Sequence, residues 1–368
     1  GYFMLAPWLL LSLKGDGVST TVAGLFAASG WVGVFLMTPF ASAITQRLGR
    51  RPTLWLSAAV PVLSTTGFLL TDALPVWFVC EFIAGAASGL RWVLAEAVVA
   101  EFAPPLQRGR FVGLFETMGG TTFVIGPAAL ALVGPTSPIA LWIVLGFLVL
   151  GLLGSALIPP LPSAPDAHEA RVGLHGVWHA LRAHPLIMTV GFVGGFFESG
   201  LTSILPLYGL ALGMGATAAA LLVSASGLGS ALMMLPAGMA ADRLAQQPRF
   251  GGAHGARLAI LHACALLTLL ATVLVPLVAG APWLAAAVAF VWGGAGGSLY
   301  TLAMIDIGSR EQGITLVNST AVLVLSYTLG GVLAPALGAA MLQWAPVVGF
   351  PALLLAVAGP GWWLLRRA

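Results

Sequence analysis

Thirteen of the fifteen lysine and arginine residues fall in or at the edges of alternate polar breaks of an apolar chain, in the long central break or in the C-terminal tail. They are Arg47, Arg50, Arg51, Arg108, Arg110, Arg171, Arg182, Arg243, Arg249, Arg257, Arg310, Arg366 and Arg367. Such segregation arises when apolar runs cross a bilayer and the loops between them alternate sides. Lys14 falls on the opposite side, and Arg91 lies within an apolar run. Only 7% of the residues are charged and the mean hydropathy is +1.00, where a soluble domain carries roughly 25% charged residues. Runs of about 20 apolar residues imply helices, whereas a β-barrel would show period-two alternation.

The apolar runs predict twelve spans: 1–13, 18–43, 53–71, 75–100, 109–133, 138–158, 186–211, 216–240, 256–279, 282–305, 313–343 and 346–365. Residues 1–13 cover only about 20 Å of helix, so the first span is expected to begin before Gly1; no removable signal segment is expected. The positive residues place both termini and the central loop in the cytoplasm. The long polar stretch 159–185 divides the chain into a six-helix bundle at 1–158 and a second at 186–368. The halves echo each other about 200 residues apart: LAPWLLLSL (5–13) with ILPLYGLAL (204–212), SAITQRLG (42–49) with GMAADRLA (238–245), and VIGPAAL (124–130) with VLAPALG (332–338). Such internal duplication marks transporters whose site lies between two halves.

Cys80 and Cys264 lie in separate apolar runs and are expected to be buried thiols. His175 and His179 lie four apart in the central loop without a further ligand at metal-binding spacing, so no metal site is expected. No phosphate loop or nucleophile elbow occurs, and neither a cofactor nor catalysis is expected. The basic residues are dispersed, which argues against nucleic acid.

The loop SAITQRLGRRPTLW resembles the signature loop of the major facilitator superfamily, G-x-x-x-D-R-x-G-R-R. Arg47, Gly49, Arg50 and Arg51 match it, Ser42 replaces the glycine and Gln46 the aspartate. The second copy keeps Gly238, Asp242 and Arg243. In that family the loop helps hold a cytoplasmic gate, so the resemblance assigns Gln46, Arg47, Gly49, Arg50, Arg51, Asp242 and Arg243 to the gate. The stretches at 100–115, 198–213 and 292–304 are similar to a bacterial branch of the superfamily. Glu81 stands where the span-four motif R-x-x-x-G has arginine, before Gly85; Gly126-Pro127 resembles the end of the antiporter motif, with Thr122 where a glycine is expected.

The resemblance implies a twelve-helix, all-α membrane protein of two pseudo-symmetric six-helix bundles. Spans one, four, seven and ten would then line a central cavity. An arginine within a span costs at least about 2.5–3.5 kcal/mol and faces a bundle interior or water. Arg91 shares a helical face with Ala84, Ala87, Ser88 and Ala95, and is read either as an anchor for an anionic group or as an ion-pair partner of Glu116 or Glu96. Glu198 is expected near the same depth, binding solute or carrying a proton, with Glu81 and Glu116 as further proton-coupling candidates. Thr202, Trp292 and Tyr300 complete the expected solute site, Tyr208 and Trp92 are further aromatic candidates, and Asn318 is expected to bond between helices.

The expected activity is secondary active transport of a small organic solute, anionic or zwitterionic, coupled to protons and working by alternating access as a monomer in the bacterial inner membrane. The alternatives are proton-coupled export of hydrophobic or cationic compounds, and a receptor or assembly factor of the same fold that no longer transports.

Overall fold

The computed structural model describes residues 1–18, 20–134, 137–161, 170–278, 281–345 and 348–366, and is helical with no strand among them. The helices are α1 (Tyr2–Gly15), α2 (Thr20–Met37), α3 (Ala41–Leu48), α4 (Arg50–Leu70), α5 (Leu74–Phe102), α6 (Arg108–Val133), α7 (Pro138–Ala156), α8 (Gly173–Ala183), α9 (Pro185–Gly195), α10 (Leu201–Ala211), α11 (Ala216–Ala245), α12 (Ala253–Val278), α13 (Pro282–Arg310), α14 (Gly313–Trp344) and α15 (Gly349–Leu365). Lipid offers the backbone no hydrogen bonds, so an apolar chain satisfies its own N–H and C=O groups by helix.

A helix stands in each of the twelve expected spans. Among the described residues, eight are long and apolar enough to cross a membrane, or nine if Gly173–Ala183 and Pro185–Gly200 form one bent span. The helix breaks have local causes. Gly49 takes φ +87, closing α3 with an N–H bond to the Thr45 carbonyl at 2.9 Å before α4 starts. Pro104 and Pro105 separate α5 from α6, since proline cannot donate to the helical ladder. Between α9 and α10 the chain makes a π-helical turn, Phe196–Gly200, absent from the sequence expectation.

The residues group into two compact units: 1–98 with 122–180 and 312–321, and 99–121 with 181–311 and 322–368. In the first, Met4, Leu5, Trp8, Phe26, Phe68 and Trp77 form an apolar core, and the Trp8 indole donates to the Ser137 carbonyl at 2.9 Å. Helices α2 and α5 cross at very short range. A Cβ on Gly85 would lie 2.0 Å from the Gly30 carbonyl oxygen.

The second unit is built around α13, buried continuously from Trp292 to Ile305. Its GGAGGS stretch would weaken an exposed helix, yet here small residues admit neighbouring backbones. A Cβ on Gly293 would lie 2.0 Å from the Ser226 carbonyl oxygen on α11. Both cysteines are free thiols; Cys264 is buried and Cys80 half-buried.

Candidate functional site

The π-helical turn carries Glu198. Such a turn fits an extra residue into a helix and occurs often at functional sites. The Glu198 carboxyl accepts a hydrogen bond from the Ser230 hydroxyl on α11 and another, at 3.0 Å, from the Tyr327 hydroxyl on α14. Gly297 of α13 forms the adjoining wall, where a Cβ would stand 3.0 Å from the Glu198 Oε1. The Tyr300 and Tyr327 rings meet edge to face with centroids 4.9 Å apart. Glu198 is half-buried, and no basic side chain among the described residues of its unit bonds to it. The π-helical turn therefore presents a carboxyl set by two hydroxyls between closely packed helices.

The other expected solute contacts divide. Tyr300 reaches this cluster through Tyr327. Trp292 is 2% exposed and donates its indole N–H to Thr272 on α12 at 3.0 Å, so its polar edge joins helices within the core. The Thr202 side chain lies outside the described residues. Tyr208 is buried against Phe350, ring centroids 4.7 Å apart. Glu116 is half-buried on the part of α6 that belongs to the second unit.

In the first unit, Glu81 is 4% exposed and accepts a hydrogen bond from the Tyr2 hydroxyl at 3.2 Å, while its Oε2 has no partner. Gly30 makes room for it: a Cβ there would lie 2.7 Å from the Glu81 Oε1. Arg91 is half-buried and makes no hydrogen bond or ion pair with a described residue of its unit. Glu96, one turn and a residue further on, is 1% exposed and instead takes the indole N–H of Trp92.

The two signature loops have different structural roles. Asp242, at the end of α11, accepts the backbone N–H groups of Gly109 at 2.9 Å and Arg110 at 2.8 Å, which open α6. Helix starts leave their first N–H groups unpaired, and a carboxylate also meets the positive end of the helix dipole. Arg243 is exposed. In the first loop, Arg50 is buried, Arg47 is exposed and Gln46 is partly buried. Ser42 accepts the N–H of Gly173 at 2.9 Å, where Gly173 takes φ +61 to start α8. Asn318 of α14 donates to the Arg171 carbonyl at 2.8 Å, so it secures the approach to α8 rather than a helix–helix bond. His175 and His179 are exposed on α8, and among the described residues no group of three or more potential ligands gathers for a metal.

The model of the Major Facilitator Superfamily matches residues 1–320. The chain belongs to that superfamily. This major facilitator protein is 25% identical over 343 residues to the uncharacterized MFS-type transporter YfkF of Bacillus subtilis, covering 92% of this chain and 84% of that one. It is 27% identical over 342 residues to an uncharacterized MFS-type transporter of Yersinia pestis, covering 90% and 83% respectively. Among solved structures, it is similar to the human organic anion transporter MFSD10, with TM-score 0.79 and 18% identity over 99% of this chain and 95% of the other. The fucose:proton symporter of E. coli gives TM-score 0.75 at 16% identity, covering 99% and 96%. These structural likenesses establish the fold, and the superfamily makes this a membrane-spanning transporter.

Proposed function

We propose that this transporter moves a small organic anion or zwitterion across the bacterial inner membrane by alternating access, coupled to protons. The observation that carries the reading is the half-buried Glu198 carboxyl, held by Ser230 and Tyr327 with no basic partner in its unit. A charge kept away from water without a countercharge is costly, so proton uptake or a solute cation relieves it. Arg91, with no partner in its own unit, supplies the complementary group for a carboxylate or phosphate. The duplicated halves, 1–158 and 186–368 joined by 159–185, are read as the two bundles of an alternating-access transporter. Both termini are assigned to the cytoplasm from the arginine distribution. That fold neighbours include an organic anion transporter and a proton symporter agrees with this reading.

Glu81 supports a second reading, proton-driven export of hydrophobic or cationic compounds. Its carboxyl is buried with one oxygen unpartnered, which gives the first unit an acidic group of its own. A thermal-shift screen of carboxylates, zwitterions and lipophilic cations on the purified chain at two pH values separates the readings. Anions or zwitterions should stabilise the wild type, and Arg91→Ala should lose that response while keeping its ligand-free melting temperature. Stabilisation by lipophilic cations alone, unchanged in Arg91→Ala, favours export.

A further inference from the structure

We propose that a groove between α4 and α7 is a binding site for an anionic phospholipid, with Arg51 holding the phosphate. The groove has a volume of about 330 Å³ and is lined by Trp55, Leu56, Ala59, Leu152, Leu153 and Ala156. Both helices belong to the first unit and are long and apolar enough to span the bilayer. Leu56 and Leu153 are 46% and 60% exposed on this face, so its surroundings are lipid tails.

Arg51 stands at one end. Its guanidinium lies 4.5 Å from the Trp55 ring centroid and donates through Nη2 to the Ala156 carbonyl at 3.2 Å, while Nε is buried without a partner and leaves the Nη groups to face a ligand. Trp55 is fixed in turn by its indole N–H on the Ser155 carbonyl at 2.7 Å. The carbonyl of Ala156, the last residue of α7, thus takes only one of the five guanidinium N–H groups, and the rest of the fork suits two oxygens of a phosphate. An arginine beside a tryptophan is the pairing found at the headgroup level of membranes. From Arg51 to Ala59 the groove runs about 12 Å along α4, directing an acyl chain into the hydrocarbon. Arg47, exposed near the end of α3, is a second basic side chain four residues before Arg51.

A second copy of the chain fits less well. A two-fold axis normal to the membrane would bring Arg51 to the same depth as its copy, which sets like charges together.

The test is native mass spectrometry of the full chain, titrated with phosphatidylglycerol and phosphatidylcholine of identical acyl chains. The wild type should retain phosphatidylglycerol about fivefold better, the equivalent of about 1 kcal/mol for one arginine at the membrane surface. Arg51→Gln should erase the preference, Arg51→Lys should keep most of it, and Ala59→Phe, which fills the groove, should weaken both lipids. An unchanged preference in Arg51→Gln overturns the proposal, as does undiminished retention in Ala59→Phe. So does a wild-type dimer that Ala59→Phe dissociates without loss of lipid. If Arg51→Gln does not fold, the Ala59→Phe and Arg51→Lys arms decide alone.

Discussion

Removing the Asp242 carboxylate should loosen the start of α6 by an amount the geometry bounds. Asp242 satisfies two backbone donors, those of Gly109 and Arg110, at 2.9 and 2.8 Å. Loss of a helix cap costs about 1 kcal/mol and up to about 2, and the charge at the helix start adds about 0.3–1. Water replaces part of this because Arg110 is exposed and Asp242 only half-buried, so Asp242→Ala should cost about 1–2 kcal/mol. That lowers the melting temperature by about 2–4 °C on the scale of large domains. Asp242→Asn keeps an acceptor without the charge and should lose about half as much. Arg110→Ala retains the backbone N–H and should be neutral, whereas an Asp242–Arg110 side-chain ion pair would make it as harmful as Asp242→Ala. Nanoscale differential fluorimetry in one detergent reads all three. A normal melting temperature in Asp242→Ala, or an equal loss in Arg110→Ala, refutes the capping account.

Three other outcomes follow from the packing and the polar pairs. Gly293→Leu should abolish folded expression, because even a Cβ would lie 2.0 Å from the Ser226 carbonyl oxygen; a monodisperse, normally melting variant contradicts the α11–α13 crossing. Tyr2→Phe should cost about 1 kcal/mol through loss of the Glu81 hydrogen bond, and Glu81→Gln/Tyr2→Phe together should cost less than their sum; additive melting shifts would remove the pair. Arg257→Ala should cost about 1.5–3 kcal/mol, the range for a hydrogen bond to a charged group, because Arg257 is 8% exposed and meets Asp306 at 3.0 Å, while Arg310 at 2.9 Å and His254 at 3.3 Å still partner the carboxylate. Replacing Arg257 and Arg310 together should cost more than the sum, and strict additivity counts against a shared carboxylate.

The helices were legible because their cause is local. Each apolar run must close its own backbone bonds, and each basic loop marks where a run ends. Tertiary partners were not. Glu198 stood out as a lone acid in a span, but Ser230 lies 32 residues on and Tyr327 another 97, with no pattern joining them. The sparse tyrosines were the available signal: the chain has four, and two of them hold the carboxyls of Glu81 and Glu198. The π-helical turn at Phe196–Gly200 was hidden because its apolar pattern suits an ordinary helix equally well. Trp292 is ambiguous for the same reason, since an aromatic beside small residues reads alike in a cavity wall and in a core; its indole N–H donates to Thr272. At the first signature loop, Ser42 departs from glycine where its hydroxyl is used to anchor α8. A single hydroxyl cannot announce a partner 131 residues away.

The most direct test of the account is solute-driven proton movement through the purified protein. Proteoliposomes loaded with a pH-sensitive dye are challenged with the organic anions and zwitterions that stabilise the wild type in the thermal-shift screen. The wild type should acidify or alkalinise the lumen on addition of such a solute, and Glu198→Gln should abolish that signal while still exchanging labelled solute. Solute-driven proton flux of wild-type size in Glu198→Gln contradicts the central claim.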